Sequence, residues 1–116
     1  MAKHFVLVLT EPTAGEEDAF NTYYEDIHLD EVLASAGWDS AQRFRLVDEV
    51  GEACPLPYLA AYTVDAEDSA QVLAQLNDSR PQRQQSSALN KRTGRIWVFR
   101  ATGPEHTLTQ EPIHAE

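Results

Sequence analysis

The side chains best suited to chemistry lie within residues 23–37. His28 follows Tyr24 by four residues, a spacing that places both side chains on one face of a helix. An imidazole transfers protons near neutral pH, and a neighbouring phenol can orient it or donate to a developing oxyanion. We therefore predict that His28 is a general acid or base assisted by Tyr24. The alternative is that His28 caps the C-terminus of the helix, where the dipole favours a charged imidazole.

Other side chains are candidates for substrate contact. Arg43 and Arg45 share one face of a predicted strand, where they can bind a carboxylate or enolate, or else face solvent or pair with carboxylates. Aromatic side chains on later strands can line an apolar pocket, or equally form core or dimer contacts. The predicted substrate-binding residues are Tyr23, Arg43, Arg45, Tyr62 and Trp97.

Signals for metals and cofactors are weak. His28 and Glu31 have a spacing that puts them on one helical face, but two potential ligands do not make a metal site. The sequence contains no glycine-rich phosphate loop, no Gly-x-Ser-x-Gly elbow and no dinucleotide-binding fingerprint. We therefore predict neither a metal site nor a cofactor.

The charge balance restricts the possible partners. A formal net charge of −10 opposes binding to the phosphates of nucleic acids and to anionic membranes. Eight carboxylates fall within residues 11–31, whereas five of the nine Lys and Arg residues fall within residues 80–95. These segments are either two solvated faces of opposite sign or complementary patches on partner subunits.

The compartment is predicted from cysteine usage and hydropathy. Cys54 is the only cysteine, so no internal disulfide can form, which fits a reducing compartment. The apolar run at residues 5–9 is too short for a signal peptide or a membrane span. We therefore expect a cytoplasmic protein.

Hydrophobic periodicity predicts the elements that position these side chains. Strands are expected at residues 4–10, 38–48, 58–64 and 95–101. A first helix is expected to follow a capping box at Thr13 and Glu16 and to run to about residue 27, then a helical turn at 30–35 that Gly37 ends in a left-handed conformation. Asp65 is expected to cap a second helix, and a short helix is expected around 82–89. The second helix should bury Ala66, Ala70, Val72, Leu73 and Leu76.

This order of elements predicts an α+β, ferredoxin-like βαββαβ fold with a four-stranded antiparallel sheet and two main helices on one face. The helices leave the other face of the sheet uncovered, and soluble monomers rarely expose so large an apolar patch. We therefore predict a homodimer with the two sheets face to face. The domain is expected to span residues 1–103, followed by a polar C-terminal tail at 104–116.

Four short segments resemble a known family. YYEDIH at 23–28, EVL at 31–33, GW at 37–38 and AQRF at 41–44 look like the EthD-like branch of the dimeric α/β-barrel superfamily. The resemblance implies a dimeric α/β barrel and a histidine, here His28, at the mouth of a cavity between sheet and helices. Its relatives include cofactor-free monooxygenases, isomerases, cyclases and haem enzymes.

Two hypotheses follow for the function. The first is a small cofactor-independent enzyme of isomerase, cyclase or monooxygenase type, acting on an aromatic, polyketide-like or lactone metabolite by general acid/base chemistry. The second is a non-catalytic dimeric ligand-binding or stress-related protein, in which the cavity would be small or filled by aromatic side chains such as Trp97, Phe99 and Tyr62. A small hydrophobic or aromatic ligand is expected in either case.

Overall fold

The computed structural model describes residues 1–108, and a four-stranded antiparallel sheet forms its base. The strands run in the order β2-β3-β1-β4 across the sheet. Their bounds are Ala2–Thr10 for β1, Ser40–Arg45 for β2, Tyr58–Ala66 for β3 and Arg95–Arg100 for β4. The predicted ferredoxin-like βαββαβ arrangement is confirmed, with the two strands that are apolar on both faces, β1 and β3, at the centre.

The two faces of the sheet differ because successive side chains point to opposite sides. On the side that packs against the helices, Val6 of β1 and Tyr58, Tyr62 and Val64 of β3 are buried in the hydrophobic core. β1 and β3 pair over nine residues, from Ala2 opposite Ala66 to Thr10 opposite Tyr58. The helices therefore pack against a long central pair of strands.

The first helical segment continues past the predicted end near residue 27. It consists of α1 (Glu17–Tyr23), a π-helical turn (Tyr24–His28) and α2 (Leu29–Ala36), with right-handed helical backbone at each junction. Gly37 ends α2 with a φ of 76°, and its N–H donates to the Leu33 carbonyl at 3.0 Å. The left-handed glycine was predicted correctly, since only glycine adopts this conformation readily.

Both predicted N-caps are wrong. The Thr13 hydroxyl donates to the Ser87 carbonyl at 2.6 Å instead of capping α1, and Thr13 accepts the Glu16 N–H through its backbone oxygen. Asp65 lies inside β3, because pairing with β1 extends that strand to Ala66. Helix α3 (Ser69–Ser79) is capped by Asp68 instead, whose carboxylate accepts from the Gln71 N–H at 2.9 Å.

The segment after α3 differs from the predicted short helix at 82–89. Only residues Arg80–Gln82 form a 3₁₀ turn, and the chain then runs irregularly to β4. It is held to the end of β1 by a bridge between Pro12 and Leu89 and by the Asn90 N–H, which donates to the Glu11 carbonyl at 3.1 Å. On α3, Val72 and Leu76 are buried as predicted, but Ala70 and Leu73 are exposed and Ala66 belongs to β3.

The sheet face turned away from the helices carries large aromatic side chains. Phe5 lies opposite Phe99, and Leu7 lies opposite Trp97 in the pairing of β1 with β4. The exposed fractions are 42% for Phe5, 47% for Phe44, 41% for Trp97 and 51% for Phe99. We call this surface the open sheet face.

The remaining described residues add little ordered structure. Residues 101–108 are exposed and form neither helix nor strand, and the rest of the predicted tail, 109–116, lies outside the described residues. Within residues 1–108, none of the helices has both the length and the apolar character needed to cross a membrane.

Candidate functional site

A cavity of about 220 Å³ lies between the helix-facing side of the sheet and the helices. Four predicted site residues line it together, namely Tyr23, Tyr24, His28 and Tyr62. Apolar walls come from all layers of the fold: Val8, Val32, Leu76, Leu89 and Ile96. The irregular segment between α3 and β4 forms the remaining wall. This segment has no clear hydrophobic periodicity, yet it builds part of the site.

The π-helical turn determines which tyrosine contacts His28. A π turn holds more residues per turn than an α-helix, which brings residues five apart closer to one face. The Tyr23 hydroxyl therefore lies 2.9 Å from His28 Nδ1, and the two rings stack with centroids 5.0 Å apart. Tyr24 meets the same imidazole edge-to-face at 4.8 Å. The helix does not end at His28, so the alternative reading of His28 as a C-terminal cap is wrong.

The hydrogen bonds of Tyr23 assign the tautomer of His28. The Tyr23 hydroxyl lies 2.9 Å from the Gln84 carbonyl oxygen, which can only accept, so the phenol proton is donated there. The phenol oxygen must then accept from His28, which places the imidazole proton on Nδ1. The other ring nitrogen, Nε2, keeps its lone pair and is available to a molecule in the cavity.

Burial keeps the imidazole and the three phenols that line the cavity uncharged. Desolvation, together with the nearby Arg83 guanidinium, lowers the pKa of His28 from 6.5 to about 4, so the imidazole is neutral at pH 7. Desolvation raises the pKa of Tyr23 to about 12, and it also raises the pKa of Tyr24 and that of Tyr62. The three phenols therefore remain protonated and can donate hydrogen bonds.

Arg43 and Arg45 do not line the cavity. The Arg43 side chain is only 7% exposed, and its guanidinium lies 4.8–5.2 Å from the ring centroids of Phe20, Tyr24 and Tyr58. It also donates to Asn21 at 2.9 Å and to Glu25 at 3.2 Å. Arg45 is exposed at the end of β2. Arg43 thus packs the helix against the sheet, one layer away from the cavity.

Trp97 lies on the open sheet face, on the other side of the sheet from His28. It is opposite Leu7, and strand alternation turns Ile96, its neighbour in sequence, into the cavity instead. Tyr62 lies inside, where its ring meets Trp38 edge-to-face at 5.3 Å. The structure therefore brings Tyr62 to the predicted pair Tyr24 and His28 but separates Trp97 from them.

Arg83, a buried cation that lines the cavity, was not identified from the sequence. This side chain is 8% exposed, lies on the cavity wall and contacts Ser35 and Ser79. Its position depends on the irregular chain path after Arg80, for which no periodic pattern exists. The available signal was the concentration of basic residues within 80–95, four of which line the cavity.

The donor groups do not form a metal-binding cluster in the described part of the chain, where no three His, Cys, Asp or Glu side chains converge. Comparison with known proteins identified no relative: no family model matches the chain, and neither the curated proteins nor the solved structures contain a similar one. Fold and cavity geometry are therefore the grounds on which a function can be argued.

Proposed function

We propose that this protein is a small cofactor-independent enzyme of isomerase, cyclase or monooxygenase type, acting on an aromatic, polyketide-like or lactone metabolite by general acid/base chemistry. One observation carries the proposal: Tyr23, held by the Gln84 carbonyl, keeps the His28 proton on Nδ1. The free lone pair of Nε2 then belongs to a neutral imidazole that lines a cavity. A general base needs such a lone pair within reach of the substrate proton.

Proton transfer is the step that this arrangement suits best. Nε2 takes a proton from a carbon beside a carbonyl group, and the electron pair of that C–H bond moves onto the carbonyl oxygen as an enolate. The protonated hydroxyls of Tyr24 and Tyr62 can donate to that oxygen. Return of the proton from Nε2 to another carbon completes an isomerisation.

The low basicity of His28 narrows the choice of substrate. A base with a pKa of about 4 removes a proton efficiently only from an acidic carbon. A β-dicarbonyl compound or a β,γ-unsaturated lactone has such a carbon, because its enolate is conjugated. Polyketide-like and lactone metabolites are therefore better candidates than simple ketones.

The open cavity supports a ligand more than the alternative of a filled, non-catalytic interior. The alternative of a cavity filled by aromatic side chains would place Trp97 and Phe99 inside, yet both side chains lie on the open sheet face. About 220 Å³ remains between the helices and the sheet. The resemblance of residues 23–44 to the EthD-like branch agrees with an enzyme of this type, and the single thiol of Cys54 suits a cytoplasmic location.

The test of this function is the isomerisation of a β,γ-unsaturated butenolide to its conjugated α,β-isomer, followed by ultraviolet absorbance. We expect the wild-type protein to accelerate it and His28→Gln to lower that acceleration by about 10²–10⁴-fold, the usual contribution of a general base. His106→Gln, an exposed histidine far along the chain, is the matched control and should retain full activity. Equal rates for wild type and His28→Gln would remove His28 from the mechanism.

We further propose that the functional unit is a homodimer joined through the open sheet face. Four large aromatic side chains on this face are between 41% and 51% exposed: Phe5, Trp97 and Phe99 on the neighbouring strands β1 and β4, and Phe44 on β2 beyond the intervening β3. Apolar surfaces of this kind are uncommon on soluble monomers, and a second copy covers them with a self-complementary surface.

The dimer proposal predicts that one charge on the open sheet face will break the assembly. In sedimentation velocity at micromolar concentration, the wild type should have twice the mass of one chain, and Phe99→Glu should shift it to one chain mass. Leu73→Glu places the same charge on an equally exposed leucine of α3, on the opposite side of the molecule, and should stay dimeric. A wild-type monomer, or two variants with the same mass, would contradict the proposal.

A further inference from the structure

The cavity wall has an unusual charge composition for so acidic a protein. Four basic residues line it, namely Arg80, Arg83, Lys91 and Arg95, although strand alternation turns the Arg95 side chain toward the open sheet face. None of the residues that line it is an aspartate or a glutamate, although the chain has 19 of these against nine Lys and Arg. The positive charge of the protein is therefore concentrated where a ligand would enter.

Arg83 is buried, and within residues 1–108 it has no carboxylate partner. Its Nη1 donates to the hydroxyls of Ser35 at 3.2 Å and Ser79 at 2.5 Å, and its Nη2 donates to the Leu76 carbonyl at 3.1 Å. All three acceptors are neutral. A buried guanidinium is normally paired with an anion, because taking an uncompensated charge out of water is costly.

The carboxylate of Glu31 acts on Arg83 electrostatically but does not form an ion pair with it. Glu31 instead accepts the Gln84 backbone N–H at 2.9 Å. Among residues 1–108, the single ion pair within 4.0 Å joins Arg43 and Glu25, outside the cavity. In this described part of the chain, the charge of Arg83 is therefore not neutralised by an ion pair.

The guanidinium of Arg83 also has N–H groups that make no hydrogen bond within the described residues. A guanidinium has five N–H groups, and three are used on the neutral acceptors. Those that make no hydrogen bond in residues 1–108 are Nε–H and the second N–H of Nη2. A carboxylate can accept these two hydrogen bonds, one on each oxygen. The serines and the carbonyl fix the guanidinium in place, so these donors are ordered before a ligand arrives.

We infer that the cavity recognises a small organic acid in its anionic form. The carboxylate lies against Arg83, and Arg80 and Lys91 attract it to the entrance. The apolar body of the acid contacts Val8, Val32 and Ile96. The volume is below the roughly 300–1,000 Å³ of sites for drug-sized ligands, so a molecule with one ring fits the space. This inference adds a carboxylate to the substrate class proposed above, and it rests on that proposed function.

The test compares benzoate with benzamide, a neutral molecule of nearly the same shape, by titration followed with nuclear magnetic resonance at constant ionic strength. We expect the wild type to bind benzoate about tenfold or more tightly than benzamide, the effect of a charge-assisted pair in a partly dry site. Arg83→Gln should abolish this preference. Arg45→Gln removes the same charge from the exposed end of β2 and should leave the preference unchanged.

A second variant covers the case in which Arg83→Gln fails to fold. Arg80 and Lys91 are exposed at the entrance, and the double variant Arg80→Gln/Lys91→Gln should weaken benzoate binding severalfold without disturbing buried contacts. Equal affinities for benzoate and benzamide, or no binding of either up to the solubility of benzamide, would overturn the inference.

The outcome is separable from that of the proposed function. His28→Gln should still prefer benzoate, because the anion is bound by Arg83 and not by the imidazole. Butenolide isomerisation without a preference for benzoate would reject the anion site alone, whereas a preference for benzoate without isomerisation would reject the enzyme alone.

Discussion

Replacement of Arg43 by alanine should lower the free energy of unfolding by about 3 kcal/mol, an unusually large loss for an arginine. The guanidinium lies over the faces of Phe20, Tyr24 and Tyr58, with its central carbon 4.8–5.2 Å from each centroid. Each desolvated cation–π contact contributes about 0.5–2 kcal/mol. Removing the side chain also leaves a cavity where helix and sheet meet, which chemical denaturation by urea would measure.

Two further variants separate the aromatic contacts from the ion pair. Glu25, the carboxylate partner, is 56% exposed, and exposed ion pairs contribute only about 0–1 kcal/mol. Glu25→Gln should therefore change the free energy of unfolding by less than about 1 kcal/mol. Arg45→Ala, two residues along the same strand face but exposed, is the matched control and should have an equally small effect. If Glu25→Gln cost as much as Arg43→Ala, the ion pair would be the main contribution.

Acidification from pH 7 to pH 4 should cost about 3 kcal/mol of stability through His28 alone. The pKa of this imidazole is about 4 in the folded protein and 6.5 in a model peptide, because burial and the Arg83 charge disfavour the imidazolium. A difference of about 2.5 in pKa corresponds to about 3 kcal/mol at ~1.4 kcal/mol per tenfold change in proton affinity. The stabilisation is complete above pH 6.5 and is lost as the pH falls toward 4.

The sign follows from the number of protons bound in each state. Between pH 6.5 and 4 the unfolded chain binds a proton at His28 and the folded chain does not, so lowering the pH favours unfolding. Urea denaturation at a series of pH values and one fixed protein concentration measures this dependence. His28→Gln should have a flatter profile in this window, and His106→Gln should run parallel to the wild type. Parallel profiles for wild type and His28→Gln would show that His28 titrates normally.

The fold could be predicted from the sequence because it depends on local hydrophobic periodicity. β1 is apolar at every position from Phe5 to Leu9 and β3 from Tyr58 to Tyr62, so both faces of each strand require burial and their central position follows. Gly37 could be assigned to a left-handed conformation because glycine alone adopts it readily. The caps of α1 and α3 were not predictable because they depend on long-range contacts. Pairing with β1 places Asp65 inside β3, and the Thr13 hydroxyl donates to the Ser87 carbonyl.

Only part of the candidate site could be predicted from the sequence. The types and spacing of Tyr23, Tyr24 and His28 pointed to acid/base chemistry, and all three line the cavity. The sequence favoured Tyr24 as the partner of His28, because a regular α-helix aligns residues four apart. The π-helical turn changed the partner to Tyr23. Such a turn has no simple sequence signal, because it depends on how the helix packs against its surroundings.

The sequence by itself determined the layers of this protein, the face of the sheet that is left uncovered and the residue types available for chemistry. Only the tertiary structure decided that Arg43 stabilises the core, that Trp97 lies on the open sheet face and that Arg83 is buried beside the cavity. The physical reason is the range of the interactions. Periodicity is set by neighbours along the chain, whereas the use of a charged or aromatic side chain is set by which distant residues meet it.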